Sequence, residues 1–484
     1  MKKLSLLFFF ALSVVISVSC DSESKLIYPP ENAVNRVMDF YLFDDGKTFL
    51  YLNSNTNRKY DFGELVLMQF DDEGDPVFKD SLLVPSISGK MAVSSDEKSV
   101  YVTTRDKSGV VKAKISGKTG SYKVEYEEGT KGDYPEILKT EKEPYALILT
   151  PDQSKLLVTH VLNGELSVID IKKWEVTNTE KLKYGVTEIL YDENSKYYLT
   201  SHKSSGKISL IEAKETIDGE FVVAVKEMPI DLPTKGYDVR SMKHSGDGTL
   251  LYAAFQNTAY EDSYTYTYDE DTAPQLVTLK LENKSLKTMN ILALSGSLGE
   301  VAVFNYNTES EKEKSEETES KIKKDATETE TTGETTLEED GGTEETGDTD
   351  SADTSAAPEE TGDTDSADSS AEPEETGDTG DTDTSAASEE TGETQTVGRN
   401  GDLIFVSIPE DEKVVMIDSA RNGIRDEISY KDDKKECNPY QLYTKNLGNT
   451  DGYLFVSCFQ NDRVYIYKID LMAQQIIKKI GVLE

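Results

Sequence analysis
One pattern recurs along most of this chain, and it leaves few folds open: a turn, a strand, a short loop and a second strand. The clearest copy is Thr150-Pro-Asp-Gln-Ser-Lys-Leu-Leu-Val-Thr-His-Val-Leu-Asn-Gly-Glu-Leu-Ser-Val-Ile-Asp170. Pro151 and Asp152 suit a tight turn, and Leu156–Thr159 and Leu166–Ile169 read as two short strands. Tyr198-Leu-Thr-Ser-His202 with Lys207-Ile-Ser-Leu-Ile211 repeats it 42 residues later. Leu403–Ser407 with Val414–Asp418, and Tyr453–Cys458 with Val464–Tyr467, repeat it near the C-terminus. Phe49–Asn53, Ser99–Thr104 and Leu250–Ala254 are weaker copies, and an inner strand such as Pro144-Tyr-Ala-Leu-Ile148 precedes most of them. Units this small cannot bury their own faces, so they must stack on one another. Seven units begin near residues 34, 84, 139, 184, 236, 297 and 437.

The 150–170 unit resembles the Tyr-Val-Thr-Asn family of β-propeller repeats. That family joins a Pro-Asp-Gly turn to a Leu-Tyr-Val-Thr-Asn strand and a Val-Ser-Val-Ile-Asp strand; His160 stands here where the family has Asn. The resemblance implies an all-β, seven-bladed β-propeller of four-stranded antiparallel blades over residues 34–484. It also reaches bacterial lactonases and quinoprotein-like enzymes, but no residue here matches a catalytic motif of theirs.

The first residues carry an address. Lys2 and Lys3 precede an apolar run from Leu4 to Val18, of signal-peptide rather than membrane-spanning length. Ser17-Val18-Ser19-Cys20 follows, then polar Asp21-Ser22-Glu23-Ser24. This resembles a bacterial lipoprotein signal, in which the cysteine is lipidated and becomes the mature N-terminus. The expected organisation is a signal peptide over 1–19, a tether over 20–33, and a cell-envelope protein anchored through Cys20. Cys437 and Cys458 are then the two remaining thiols in an oxidising compartment and are expected to pair.

Charge excludes one large class of partners. Asp and Glu number 92 against 52 Lys and Arg, a net charge of −40, which leaves no basic footprint for nucleic acid. Between Glu309 and Glu393 lie 32 acidic residues and five lysines, with no aromatic residue. Glu344, Glu359, Glu374 and Glu389 open copies of Glu-Glu-Thr-Gly at an even spacing of 15. Such a stretch cannot bury a core, so residues 308–398 are expected to be a disordered insert within the sixth blade. It contains no Asp-x-Asp-x-Asp-Gly loop with a closing Glu, so no calcium site is expected.

Chemistry-bearing residues are few. Aligning the ends of the second strands places Ser54, Arg105, His160, His202, Ala254, Ile408 and Cys458 on one rim, where the central channel opens. His160 and His202 on adjacent blades form the sharpest pair, suited to a metal or to acid–base work. The third histidine, His244, lies at the far end of an inner strand and no carboxylate joins the ring, so neither a metal nor a cofactor is expected. On the same rim Asn257–Ala273 inserts Tyr260, Tyr264, Tyr266 and Tyr268 at alternating positions, a pattern suited to contact with a protein or envelope polymer. The leading reading is a non-catalytic binding or scaffold protein. The alternative is a lactonase-like hydrolase working through Arg105, His160 and His202.

Overall fold
The second strands of the blades are largely apolar on both faces because both faces are covered. Thr48–Asn53 and Leu251–Gln256 are buried at every position, whereas the outer strand Glu175–Lys181 alternates between exposed and half-buried. A strand sandwiched between neighbouring sheets reads as a continuous apolar run; an edge strand facing water alternates. The computed structural model describes residues 26–30, 33–118, 120–126, 136–183, 185–203, 207–216, 221–228, 238–256, 258–260, 266–268, 273–307, 400–431, 436–448 and 450–483. These residues contain no helix. They form seven antiparallel blades of four main strands each, whose first strands begin at Val37, Ser88, Pro144, Val186, Asp238, Val301 and Pro439. The seven repeat units are the seven blades.

The turns between first and second strands use the chemistry the repeat advertises. Thr48 N donates to Asp45 Oδ1 at 2.7 Å, Thr150 Oγ1 to Asp152 Oδ1 at 2.6 Å, and Ser245 Oγ to Asp247 Oδ1 at 2.7 Å. In each case an acidic side chain folds back on its own turn and fixes it. Gly248 takes φ +70°, a conformation that glycine adopts at no steric cost.

Each blade comes from one contiguous stretch or, in blade six, from two stretches flanking the acidic region, so the ring closes by side-chain packing and not by strand exchange. Phe40 and Phe49 of blade one meet Phe455 of blade seven at centroid distances of 5.5 and 5.2 Å, and Phe70 meets Tyr453 at 5.0 Å. Ser457 Oγ donates to Val37 O across the same seam at 2.9 Å.

Two blades depart from the plain pattern. In blade two the third strand Gly109–Ser116 pairs with two outer pieces, Lys123–Tyr126 and Ile137–Lys139. In blade six Val301–Asn307 pairs with Asn400–Ile408, in register from Val301 with Val406 to Asn307 with Asn400. The fifteen-residue repeats fall between those two strands; they, the leader with Cys20, and Tyr264 all lie outside the described residues.

Candidate functional site
Six of the seven first strands shift register near their start: between Val37 and Asp39, Ser88 and Met91, Pro144 and Leu147, Val186 and Glu188, Val239 and Ser241, and Pro439 and Gln441. A bulge leaves residues unpaired and re-aims their side chains. Tyr145, Thr187, Arg240 and Tyr440 sit in these bulges, and all four line a cavity of about 640 Å³ at the mouth of the channel. The second contribution is the residue just after a second strand: Arg105, Val161, Lys203, Pro409 and Phe459.

Four cations from four blades line this mouth: Arg36, Arg105, Lys203 and Arg240. Arg105 Nη2 bonds Glu143 Oε2 at 2.8 Å, and its guanidinium lies 5.5 Å from the Tyr145 ring. The Arg36 guanidinium lies 5.5 Å from the Phe459 ring, which stacks on Tyr440 at 4.2 Å. Arg240 Nε lies 3.0 Å from Asp238 Oδ2. Burial pushes the Lys203 amine below its ordinary value, and the charges of Arg240 and Arg105 push the same way against Asp238. Burial also pushes the Asp238 carboxyl up to about 7, against the pull of Arg240 and Lys203.

Beneath the mouth a belt of charge crosses the channel. Lys90 Nζ lies 3.4 Å from Glu300 Oε1, Lys243 Nζ lies 3.5 Å from both Glu300 Oε1 and Glu188 Oε1, and Met91 N donates to Asp39 Oδ2 at 2.9 Å. Lys90 also bonds the Gln441 amide oxygen. Burial raises the Glu188 carboxyl, whereas Lys90 and Lys243 overcome burial at Glu300 and hold it low. Glu300 lines the upper cavity, while Asp39 and Lys243 line a second one of about 390 Å³ at the opposite end. The belt therefore stands between the two mouths.

The rim residues read from sequence are distributed differently. His160 and His202 are fully buried, and neither lines the channel mouth. His160 Nε2 lies 2.9 Å from Ser167 Oγ, and His202 Nε2 lies 2.7 Å from Ser209 Oγ, with Nδ1 3.2 Å from Lys183 O. Each histidine thus pairs within its own blade, seven residues along the hairpin. Arg105 alone of the proposed trio reaches the mouth. The reason is register: His160, His202 and Cys458 end their second strands opposite Pro144, Val186 and Pro439, and the matching residue of blade two is Thr104, opposite Ser88. Arg105 is one position further on, and one position turns a side chain to the other face. Ser54 is buried, donating to Ser88 O at 3.1 Å; Ala254 and Ile408 are core residues. Cys437 and Cys458 are bonded to each other at a Cα separation of 5.0 Å. Thr258–Tyr260 and Tyr266–Tyr268 form a two-stranded ribbon in which Tyr260 is the register partner of Tyr266. That ribbon follows the second strand of blade five and is rooted on the rim of the mouth.

The mouth cations Arg36, Lys203 and Arg240 and the belt of Asp39, Lys90, Glu188, Lys243 and Glu300 escaped the sequence reading. The signal available was charge inside otherwise apolar inner strands, as in Val37-Met-Asp39 and Val186-Thr-Glu188.

No protein family and no curated protein matches this chain. Among solved structures it is similar to the periplasmic gluconolactonase PpgL of Pseudomonas aeruginosa, at 12% identity and a TM-score of 0.48, over 90% of this chain and 96% of that one. It is similar to a functionally unknown protein of Desulfotomaculum acetoxidans, at 10% identity and a TM-score of 0.45, over 87% and 94%. Virginiamycin B lyase of Staphylococcus aureus is similar at 9% identity and a TM-score of 0.43, over 90% and 95%. Likenesses this distant transfer no activity.

Proposed function
We propose that this chain is a lipid-anchored propeller of the bacterial cell envelope that binds a solute in the mouth of its channel without transforming it. The observation that carries the reading is the mouth itself, a cavity of about 640 Å³ built from side chains of all seven blades. Ligand sites are concavities of this size with a few convergent polar groups. The tyrosine ribbon on the same rim is where a protein or envelope polymer would attach. The anchor reading rests on Cys20 and the apolar run before it.

Hydrolysis is the second reading, and Asp238 favours it. A carboxyl pushed up to about 7 has the proton affinity of a general base. Asp238, itself fully buried and outside the cavity lining, would act on the cavity only through Arg240, which lines it. Turnover of a simple lactone that disappears in Asp238→Asn would establish it.

The binding reading is tested by thermal unfolding of the full chain against neutral sugars, amino acids, dipeptides and carboxylates. A true ligand raises the midpoint with concentration by mass action. Val161→Trp fills the mouth from a turn and should abolish that response. A response that survives Val161→Trp places binding elsewhere and defeats the proposal.

A further inference from the structure
Arg105, Lys203 and Arg240 project into one cavity from blades two, four and five of a protein whose net charge is −40. Three features set this group apart from ordinary surface cations. First, Lys203 has no carboxylate within ion-pair reach among the described residues, and its neighbours Arg240 and Arg105 repel it. With Asp238 attracting it only from beyond ion-pair reach, a half-buried ammonium facing two guanidinium groups costs stability unless something negative joins it. Second, the Nε atom of Arg105 is shielded from water and has no hydrogen-bond partner, although the side chain itself remains 28% accessible. Donors closed off from solvent on reachable side chains leave hydrogen bonds to be made. Third, the guanidinium groups are held in place. Glu143 grips Arg105 from one side while Tyr145 underlies it, and Asp238 stands behind Arg240. A guanidinium fixed along one edge presents its remaining donors in the geometry that suits paired oxygens of carboxylate or phosphate.

Resting on the reading that the mouth is the binding site, we propose that its ligand is a small soluble anion carrying at least two negative charges, as clustered carboxylates or a phosphate ester, held by Arg105, Lys203 and Arg240. The cavity sets the size: it accepts a molecule on the scale of a sugar phosphate or a tricarboxylate. The carboxylates at the mouth do not oppose this. Glu300 is engaged by Lys90 and Lys243 below, and Glu410 is an exposed residue. Tyr440 and Phe459 add a stacked aromatic wall against which the carbon skeleton would lie.

The test is calorimetric titration of the full chain with citrate, glucose 6-phosphate and glucose at low and physiological salt. Citrate or glucose 6-phosphate should bind, glucose should not, and affinity should fall as salt rises. Lys203→Gln should weaken the anion at least about tenfold while leaving the unfolding midpoint unchanged or higher, because it removes a repelling charge; a merely structural lysine would lower the midpoint. Binding of glucose as tight as glucose 6-phosphate, abolished by Val161→Trp, would overturn the anion and leave the binding function standing. Equal anion affinity in Lys203→Gln would overturn the assignment of these residues. Silence from both anions at millimolar concentration would overturn it too, and capture of an anionic polymer in their place would show that the cavity is not the recognition element.

Discussion

Mild acid should unfold this protein from within blade three. His160 is fully buried, with Nε2 at 2.9 Å from Ser167 Oγ and Nδ1 without a hydrogen-bond partner. Burial pushes its imidazole from 6.5 down to about 4. The unfolded chain therefore takes up a proton near pH 6.5 and the folded chain only near pH 4. Between those values the unfolded state holds more protons, so stability falls as pH falls, and the contribution is complete above pH 6.5. At about 1.4 kcal/mol for each pKa unit, the gap is worth about 3 kcal/mol. Chain composition makes the assay direct, because there are only three histidines and proton NMR can follow every imidazole. Denaturant unfolding at neutral pH and at about pH 4.5 then compares the native chain with His160→Gln, whose amide can still reach Ser167 but cannot charge. The variant should lose about 2–3 kcal/mol less than the native protein on acidification. A His160 resonance titrating near 6.5, or equal acid sensitivity in the variant, would refute the reasoning and return His160 to the water-facing role read from sequence.

Asp238 should act in the opposite direction: its carboxyl rises from 3.8 to about 7 on folding, so the folded state holds the extra proton and stability falls as pH rises through that window. Asp238→Asn should be more stable than the native protein above pH 8, by up to about 4 kcal/mol, and equal to it below about pH 4, by denaturant unfolding. Breaking the Cys437–Cys458 bond in the double Ser variant should cost about 3 kcal/mol on the chain-entropy estimate for a sequence separation of 21, read as a lower melting midpoint. Cys20→Ser should release the protein from membranes or block its processing; unchanged membrane partition and unchanged mature mass would rule out lipidation. Deleting Glu311–Gln395 should leave the fold intact, because a shorter connection between paired strands closes at lower entropic cost; a midpoint lower by about ten degrees would show that the segment packs.

The ring was legible because its rule is written in every unit. Leu156–His160 and Tyr198–His202 alternate with turns at a fixed spacing, and strands buried on both faces advertise themselves as apolar runs. The site was not legible, because it depends on a geometry without a residue signature. A bulge inserts its extra residue with no glycine or proline to announce it, as at Thr187 and Arg240. Counting strand ends from Tyr198 and Leu156 also puts Arg105 in the row of His160, where Thr104 belongs. Arg105 was thus found through an offset of one, and the two histidines aligned beside it face the blade interior.

The belt beneath the mouth bears on what the mouth can hold. Taking Asp39, Lys90, Glu188, Lys243 and Glu300 out of water is expensive, and buried ion pairs commonly recover little more than their desolvation cost. Stability alone therefore does not account for them. Their charges do something simpler. Burial raises the carboxyls of both Glu188 and Asp39, while Lys90 and Lys243 hold that of Glu300 low. Two ammonium groups thus face one firmly ionised carboxylate and two carboxyls that burial biases toward the neutral form, and the belt stays within one charge of neutral. A negative belt would cancel the field of Arg105, Lys203 and Arg240 directly above it, and a positive one would add to their mutual repulsion. A near-neutral, hydrogen-bonded floor leaves the cations above it to act on whatever enters.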